Sequence, residues 1–304
     1  MTAVGEGWAW AAFTVAAAGA QTVRNAAQKE LTGRLGTAGA TQVRFLFGCP
    51  FAILFLVSLV AGGGALPGPG LAFLPWLLTG ALAQIAATAL MLAAMEERSF
   101  VVAIAWIKTE PVQVAVFGLV FLGDAVTPLM AAAIVVATAG VVLMSARSGS
   151  GTGGGLRPAA LGLMSGACFA LSAIGYRGAI LSLGDGVGDG RYVMAATFTV
   201  ASGLLLQSVL LGVWLVVRDR AVLAAILKAW RPSLFAGLMG AVASQLWFLA
   251  FALTSAANVR TLALVEVLFA QAISRFVFRQ PVSVRERAGI AAIVVGVALL
   301  IWGY

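Results

Sequence analysis

The chain has 304 residues, of which 62% are hydrophobic and 10% charged, against roughly 25% charged in an ordinary soluble domain. Its net charge is +8, from 19 Lys and Arg against 11 Asp and Glu, and it contains no histidine. Apolar runs of about 20 residues, each able to cross a hydrocarbon core about 30 Å thick, recur along its whole length. This composition excludes a soluble fold and describes an all-α polytopic protein embedded in a lipid bilayer. The basic residues stand in short loops between apolar runs, where they read as topology signals and not as a nucleic-acid surface. Without histidine, His-based proton relays, most zinc chemistry and the usual nucleophile–His pairs fall away. Cys49 and Cys168 lie inside apolar runs and read as small hydrophobes, so neither a disulfide, a metal nor a cofactor is expected.

Ten spans follow in chain order. Residues 1–7 carry no Lys or Arg, unlike the basic start of a secretory signal, although Ala18-Gly19-Ala20 resembles a small-residue cleavage site; the run from Trp8 is read as a retained span because the internal repeat described below needs it. That first span covers residues 8–27, with Gln21, Arg24 and Asn25 near its end. The second covers 45–60 and is followed by a loop rich in Gly and Pro. The third, 73–95, puts Gln84, Thr88, Met91 and Met95 on one face. Glu96-Glu97-Arg98 closes it.

The fourth span, 100–122, is the most unusual. It carries Trp106-Ile107-Lys108-Thr109-Glu110-Pro111 in its middle, and a charge at mid-bilayer costs on the order of 3 kcal/mol unless it has a partner or a wet cavity. Pro111 lacks an N–H, frees the carbonyl of Ile107 and predicts a hinge or kink beside the charges. The fifth span covers 128–146. The Gly/Ser stretch from Ser148 to Gly155 lacks the ending of a phosphate loop and reads as a flexible linker.

The sixth span covers 159–180, with Gly162 and Gly166 spaced for close helix contact. The Asp- and Gly-rich stretch 184–190 lacks calcium-loop spacing and reads as a plain loop. The seventh covers 193–217 and precedes a basic loop. The eighth, 234–253, carries Ser244, Gln245 and Trp247. The ninth, 259–278, carries Glu266 and Gln271, and the tenth covers 288–302.

An offset of 156 residues superposes Glu110 on Glu266, Thr127 on Ser283, Gly140 on Gly296, Ser99 on Ser255, Phe13 on Phe169 and Gly19 on Gly175. The constant offset over five successive spans predicts an internal repeat: residues 1–147, a linker at 148–156, and residues 157–304. Five spans is an odd number, so the halves enter the membrane in opposite directions. Inverted repeats of this kind characterise secondary transporters, whose substrate sites lie near the midplane at the repeat interface. Duplication merely to build a bundle would not require matching buried carboxylates.

Ten spans in two halves, the interrupted fourth span, and Gly123-Asp124-Ala125-Val126-Thr127 before the fifth resemble the drug/metabolite transporter (EamA-type) superfamily. There a proline in the fourth span and a Gly-Glu-X-X-Thr-like turn after it are common. This chain has Asp124 for the glutamate, and Arg279-Gln280-Pro281-Val282-Ser283 departs further. The overall pattern is most similar to the YddG-type exporters of aromatic and other neutral amino acids. The resemblance implies a central cavity surrounded by spans three, four, eight and nine, and alternating access in the cell inner (plasma) membrane. It also places both termini inside. The loop charges imply the reverse: 15 Lys and Arg near the odd loops against Arg177, Arg191 and Arg260 on the other side put both termini outside.

In a regular helix Trp106, Glu110, Gln113 and Phe117 share one face, and Leu262, Glu266, Phe269 and Ile273 share the equivalent one. Lys108 stands about 200° round from Glu110 and so reaches Glu266 or another helix. A carboxylate in a cavity can carry a coupling proton or neutralise a substrate ammonium, whereas a purely structural Lys–Glu bridge is the simpler alternative. Gln84, Gln245, Trp106 and Trp247 would line such a pocket for a small amphiphilic molecule, or merely pack between helices. Arg260 reads as an interfacial, snorkelling residue. The leading expectation is a monomer-competent exporter of amino acids or related metabolites, driven by the substrate's own gradient or by protons. A transporter of drugs or other metabolites is the near alternative. An intramembrane enzyme is the rival, since Glu96-Glu97 resembles the paired glutamates of one membrane protease family, but the histidines such sites use are missing.

Overall fold

A computed structural model describes residues 3–97, 106–145, 156–184, 191–276 and 284–303. The helices in order are α1 (Ala3–Leu46), α2 (Cys49–Ala61), α3 (Phe73–Glu97), α4 (Glu110–Phe117, continuing as a π turn over Gly118–Leu122), α5 (Pro128–Ser145) and α6 (Leu156–Ser182). They continue with α7 (Arg191–Arg218), α8 (Arg220–Lys228), α9 (Trp230–Leu253), α10 (Ala256–Leu262), α11 (Val265–Phe276) and α12 (Val284–Trp302). Among the described residues, five helical stretches are long and apolar enough to cross a membrane, and Glu110–Leu122 and Pro128–Leu143 are shorter apolar helices. The surface agrees with a lipid surround: Leu54, Val57, Val120, Val135, Val213 and Val217 point outward, while Gln28, Gln42, Arg24, Arg44 and Gln207 are buried. This is a multi-pass membrane protein turned polar-side in.

The boundaries of the first two spans differ from expectation. The helix from Ala3 does not stop near residue 27 but continues to a glycine, Gly36, at φ 66° and ψ 173°. There the chain doubles back, because Gln28 Nε2 donates to the carbonyl of Ala40 at 3.0 Å, and residues 12 apart in a straight helix lie about 18 Å apart. The second span therefore begins directly after Gly36 and runs on through α2. The basic loop after α7 also contains an element that was not expected. It holds the short helix α8, whose N-terminus Asp219 caps by accepting from the Val222 amide.

The most extensive helix contacts are α3 with α6, α1 with α9 and α5 with α12. The 156-residue offset exchanges the first two of these pairs and maps the third onto itself. At the α5–α12 crossing the correspondence reaches single atoms. A Cβ on Gly140 would lie 2.7 Å from the carbonyl oxygen of Gly289 and 2.9 Å from the amide of Ile293. A Cβ on Gly296 would lie 2.8 Å from the carbonyl oxygen of Ala133 and 2.7 Å from the amide of Ala137. Each set is the other shifted by 156, so this contact is self-complementary under that offset. Small residues allow it, because only a missing Cβ lets two helix backbones approach so closely.

The turn before α5 has a clear construction. Gly123 takes the left-handed conformation that ends the π turn (φ 67°), Asp124 Oδ1 lies 3.2 Å from Arg177 Nη2, and Thr127 Oγ1 caps α5 by accepting from the Met130 amide at 3.1 Å. Arg177, counted above among loop cations, also donates through Nε to the carbonyl of Thr254, so it ties one half of the chain to the other. The Gly/Ser stretch 148–155, residues 185–190 and the turn 279–283 lie outside the described residues.

Candidate functional site

Both charged segments are interrupted helices. In the first half the helical path breaks at Lys108–Thr109 and restarts at Glu110. In the second half α10 ends at Leu262 and α11 restarts at Val265, one residue before Glu266. Each break tightens into three-residue turns: the Thr109 amide bonds the Trp106 carbonyl, and the Leu264 amide bonds the Thr261 carbonyl. The interruption expected beside Pro111 is present, and Pro111 sits in the first turn of the restarted helix α4, a position that tolerates its missing N–H. The second half makes nearly the same break with Val267 at the equivalent position. Close helix approach accompanies the first break: a Cβ on Gly166 would lie 3.0 Å from the Ile107 carbonyl oxygen.

The interruption puts Glu110 in the first turn of α4 and Glu266 in the first turn of α11. Unpaired N–H groups and the helix dipole favour a negative charge there by typically 0.3–1 kcal/mol. Both acids face the bundle interior and are 5% exposed. They pair crosswise between the halves. Lys108 Nζ donates to Glu266 Oε2 in a buried ion pair, and Arg260 Nε lies 3.0 Å from Glu110 Oε1. The second contact is electrostatic and not directional, since neither Arg260 Nε nor Glu110 Oε1 completes a hydrogen bond.

Arg260 thus does not snorkel to the interface. Its guanidinium is buried and lies over two rings, 4.7 Å from the centroid of Trp247 and 5.3 Å from that of Phe251. Gln21 closes the ring of contacts. It donates to Glu266 Oε2 at 3.3 Å and accepts from Trp247 Nε1 at 3.1 Å. The network therefore draws Gln21 from α1, Lys108 and Glu110 from the first break, Trp247 from α9, and Arg260 and Glu266 from the second break.

The other residues expected at this site divide. Gln84 is buried, and its Oε1 accepts from Gln207 of α7 at 2.9 Å. Gln245 donates to Thr197, also on α7, at 2.7 Å. Neither touches the charged network in these contacts. Trp106 does not share a face with Glu110, because the break at Lys108–Thr109 interrupts the helical register, and it stands 37% exposed.

Two residues counted only as topology signals near the first loop lie deep in the bundle. Arg24 and Arg44, taken as loop cations, are 1% and 2% exposed. The long helix α1 and its reversal at Gly36 carry both into the bundle, and Arg24 lies within electrostatic range of Arg44, Glu266 and Arg260. A groove of about 470 Å³ runs along the outer face of α1, lined by residues that include Thr22, Val23, Glu30, Arg34 and Phe235. It contains no member of the network.

Residues 159–302 match the EamA-like transporter family, which points to a membrane transporter of small molecules. A solved crystal structure superposes with a TM-score of 0.69, covering 97% of this chain and 95% of that one at 15% sequence identity. That likeness concerns the fold. No curated protein matches the sequence.

Proposed function

We propose that this chain is a secondary transporter of the drug/metabolite transporter superfamily, and not an enzyme, that exports small metabolites by alternating access. Its ten spans form two inverted five-helix repeats, residues 1–147 and 157–304, joined by the linker at 148–156. The exchange of contacts under a 156-residue offset supports that organisation. Amino acids, the aromatic and other neutral ones first, are the proposed cargo, and the cell's inner membrane is the proposed location.

The observation that carries the reading is the crosswise pairing at two broken helices. Lys108 of the first half holds Glu266 of the second, and Arg260 of the second holds Glu110 of the first. Discontinuous helices with ionisable groups at mid-membrane are how such proteins build substrate sites. A zwitterion can substitute for either pair, offering an ammonium to a glutamate and a carboxylate to Arg260 or Lys108. Each exchange replaces one buried ion pair with two and leaves no protein charge without a partner, so the large cost of stranding a charge is avoided. The aromatic faces of Trp247 and Phe251 beside Arg260 suit an apolar or aromatic side chain.

Uptake of labelled amino acids into proteoliposomes tests the reading. Glu266→Gln should abolish most flux per folded molecule while leaving the protein purifiable. Undiminished flux in that variant would remove the pairing from the mechanism. An imposed pH gradient distinguishes the driving force: a proton-coupled carrier changes its uptake at fixed substrate concentration, whereas facilitated diffusion does not.

A further inference from the structure

Arg24 and Arg44 are two buried guanidiniums with no directly paired carboxylate among the described residues; Arg24 has Glu266 within electrostatic range, and Arg44 lies 5.5 Å from the Phe45 ring centroid. Arg24 donates through Nε and Nη2 to one amide oxygen, Oδ1 of its neighbour Asn25, at 3.2 and 2.7 Å. Arg44 donates through Nη1 to Thr88 Oγ1 at 3.0 Å. Arg24 Nη1 and Arg44 Nε are buried with no hydrogen-bond partner, and among the described residues no carboxylate forms a salt bridge with either. A guanidinium keeps its proton and presents its donors in a fixed fork. A buried unpaired charge is among the most costly features a fold can carry.

The two side chains are close together. Gly240 of α9 lies against both: a Cβ there would be 3.3 Å from Arg24 Cδ and 3.4 Å from Arg44 Cγ. Along α1, Arg24 is three residues beyond Gln21, and Gly240 is seven residues before Trp247. The pair therefore sits one to two helical turns, about 5–10 Å, from the Glu–Lys–Arg network, toward the basic-loop side.

The internal repeat supplies a control. The 156-residue offset maps Arg24 onto Ile180 and Arg44 onto Val200, which are both buried, at 3% and 1% exposure. The same fold is satisfied by aliphatic side chains at these two places. Packing alone thus gives no reason for arginines in the first half. Taken with Lys108 and Arg260 against Glu110 and Glu266, the centre holds four cations and two carboxylates.

We infer that Arg24 and Arg44 form an oxyanion-binding subsite, shared between the two arms of α1 and floored by Gly240, that receives a carboxylate or phosphate group of the transported molecule. This rests on the transporter reading and narrows it: the cargo is anionic or zwitterionic, and an amine lacking an acid group is refused. Unused N–H donors at Arg24 Nη1 and Arg44 Nε are the groups that meet the oxyanion.

Binding to the purified full chain, measured by thermal stabilisation and by equilibrium dialysis, separates the possibilities. The probes are tryptophan, indole-3-propionate, tryptamine and inorganic phosphate. Binding of tryptophan and indole-3-propionate without tryptamine identifies a carboxylate site. Saturable binding of phosphate, displacing or replacing the carboxylates, identifies a phosphoryl site instead. The variant Arg24→Ile with Arg44→Val, which copies the second half, should keep or raise the ligand-free melting temperature and weaken anion binding at least about tenfold. Arg44→Lys, which keeps the charge, should retain part of that binding and serves if the double variant does not fold. Tryptamine binding as well as tryptophan, anion affinity unchanged in the variants, or no binding of either anion overturns the subsite. Flux of labelled tryptamine into proteoliposomes would then leave the transporter reading standing, and absence of flux for every probe would end that reading as well.

Discussion

Removing one member of the Lys108–Glu266 pair tests the electrostatics of the centre directly. Lys108 and Glu266 are 6% and 5% exposed, so neither charge can be rehydrated when its partner goes. Breaking a buried pair from one side costs about 3–5 kcal/mol. The surroundings should make the two halves of that experiment unequal. The centre holds an excess of two positive charges, from Lys108, Arg260, Arg24 and Arg44 against Glu110 and Glu266. Glu266→Gln raises the excess to three and leaves Glu110 as the remaining acid of the network. Lys108→Met lowers it to one and leaves Glu266 with Gln21 as donor and Arg24 within electrostatic range.

Glu266→Gln should therefore lose about 4 kcal/mol, inside the range for broken buried pairs, and Lys108→Met about 2 kcal/mol, below it because Gln21 and Arg24 still answer the Glu266 charge. At about 2 °C per kcal/mol for a chain of this size, the melting temperatures in detergent should fall by about 8 °C and about 4 °C. The double variant removes both charges, restores the original excess and should melt within about 2 °C of the parent, as replacement of whole buried pairs usually does. The assay is thermal unfolding of the four proteins in one detergent, read as a double-mutant cycle. A Lys108→Met protein less stable than Glu266→Gln, or a double variant showing simple additivity, would refute the reasoning.

Other consequences can be measured with the same assay. Gly140→Ala and Gly296→Ala push a methyl group into backbone atoms of the facing helix, so each should cost about 1–3 kcal/mol. Because both strain one crossing, the double variant should lose less than the sum, and full additivity would argue against a shared contact. At the hairpin, Gly36→Ala meets no atom within 4 Å but must hold φ 66° and ψ 173°, which costs a side-chain-bearing residue about 1–3 kcal/mol. Gly33→Ala, in the helix just before it and equally uncrowded, should instead gain roughly 0.5–1 kcal/mol; equal effects at the two sites would contradict the reversal at Gly36. Arg177→Leu strands Asp124 and frees the carbonyl of Thr254. It should lower stability by about 1–3 kcal/mol, and adding Asp124→Asn should recover part of that loss.

The membrane class, and the interruption of the fourth span, were written plainly in the chain, whereas the break in the ninth span was not. Charge is so costly in an apolar run that Lys108, Glu110 and Glu266 stand out without any coordinates. The 156-residue offset could also be read from the chain, from matched positions such as Glu110 with Glu266 and Gly140 with Gly296. Proline drew attention to the first break, which lies just before it. A similar break occurs near Ala263–Leu264 with no proline beside it, so a missing N–H is not required for one.

Helical spacing already turned Lys108 toward Glu266 or another helix, but only the tertiary structure chose between them and gave Glu110 its partner. Glu110 finds Arg260 and Glu266 finds Lys108 across more than 140 positions of sequence, and such pairing depends on helix crossing angles that local pattern does not encode. Trp106 fell out of the site because a broken helix loses its 3.6-residue register. Arg24 and Arg44 look like loop cations to any hydropathy reading, because each lies near the edge of an apolar run. Their depth is set by a helix that continues past its apolar segment and by one glycine that folds it back. Burial is a property of the assembled bundle, and a residue's own neighbours in the chain do not determine it.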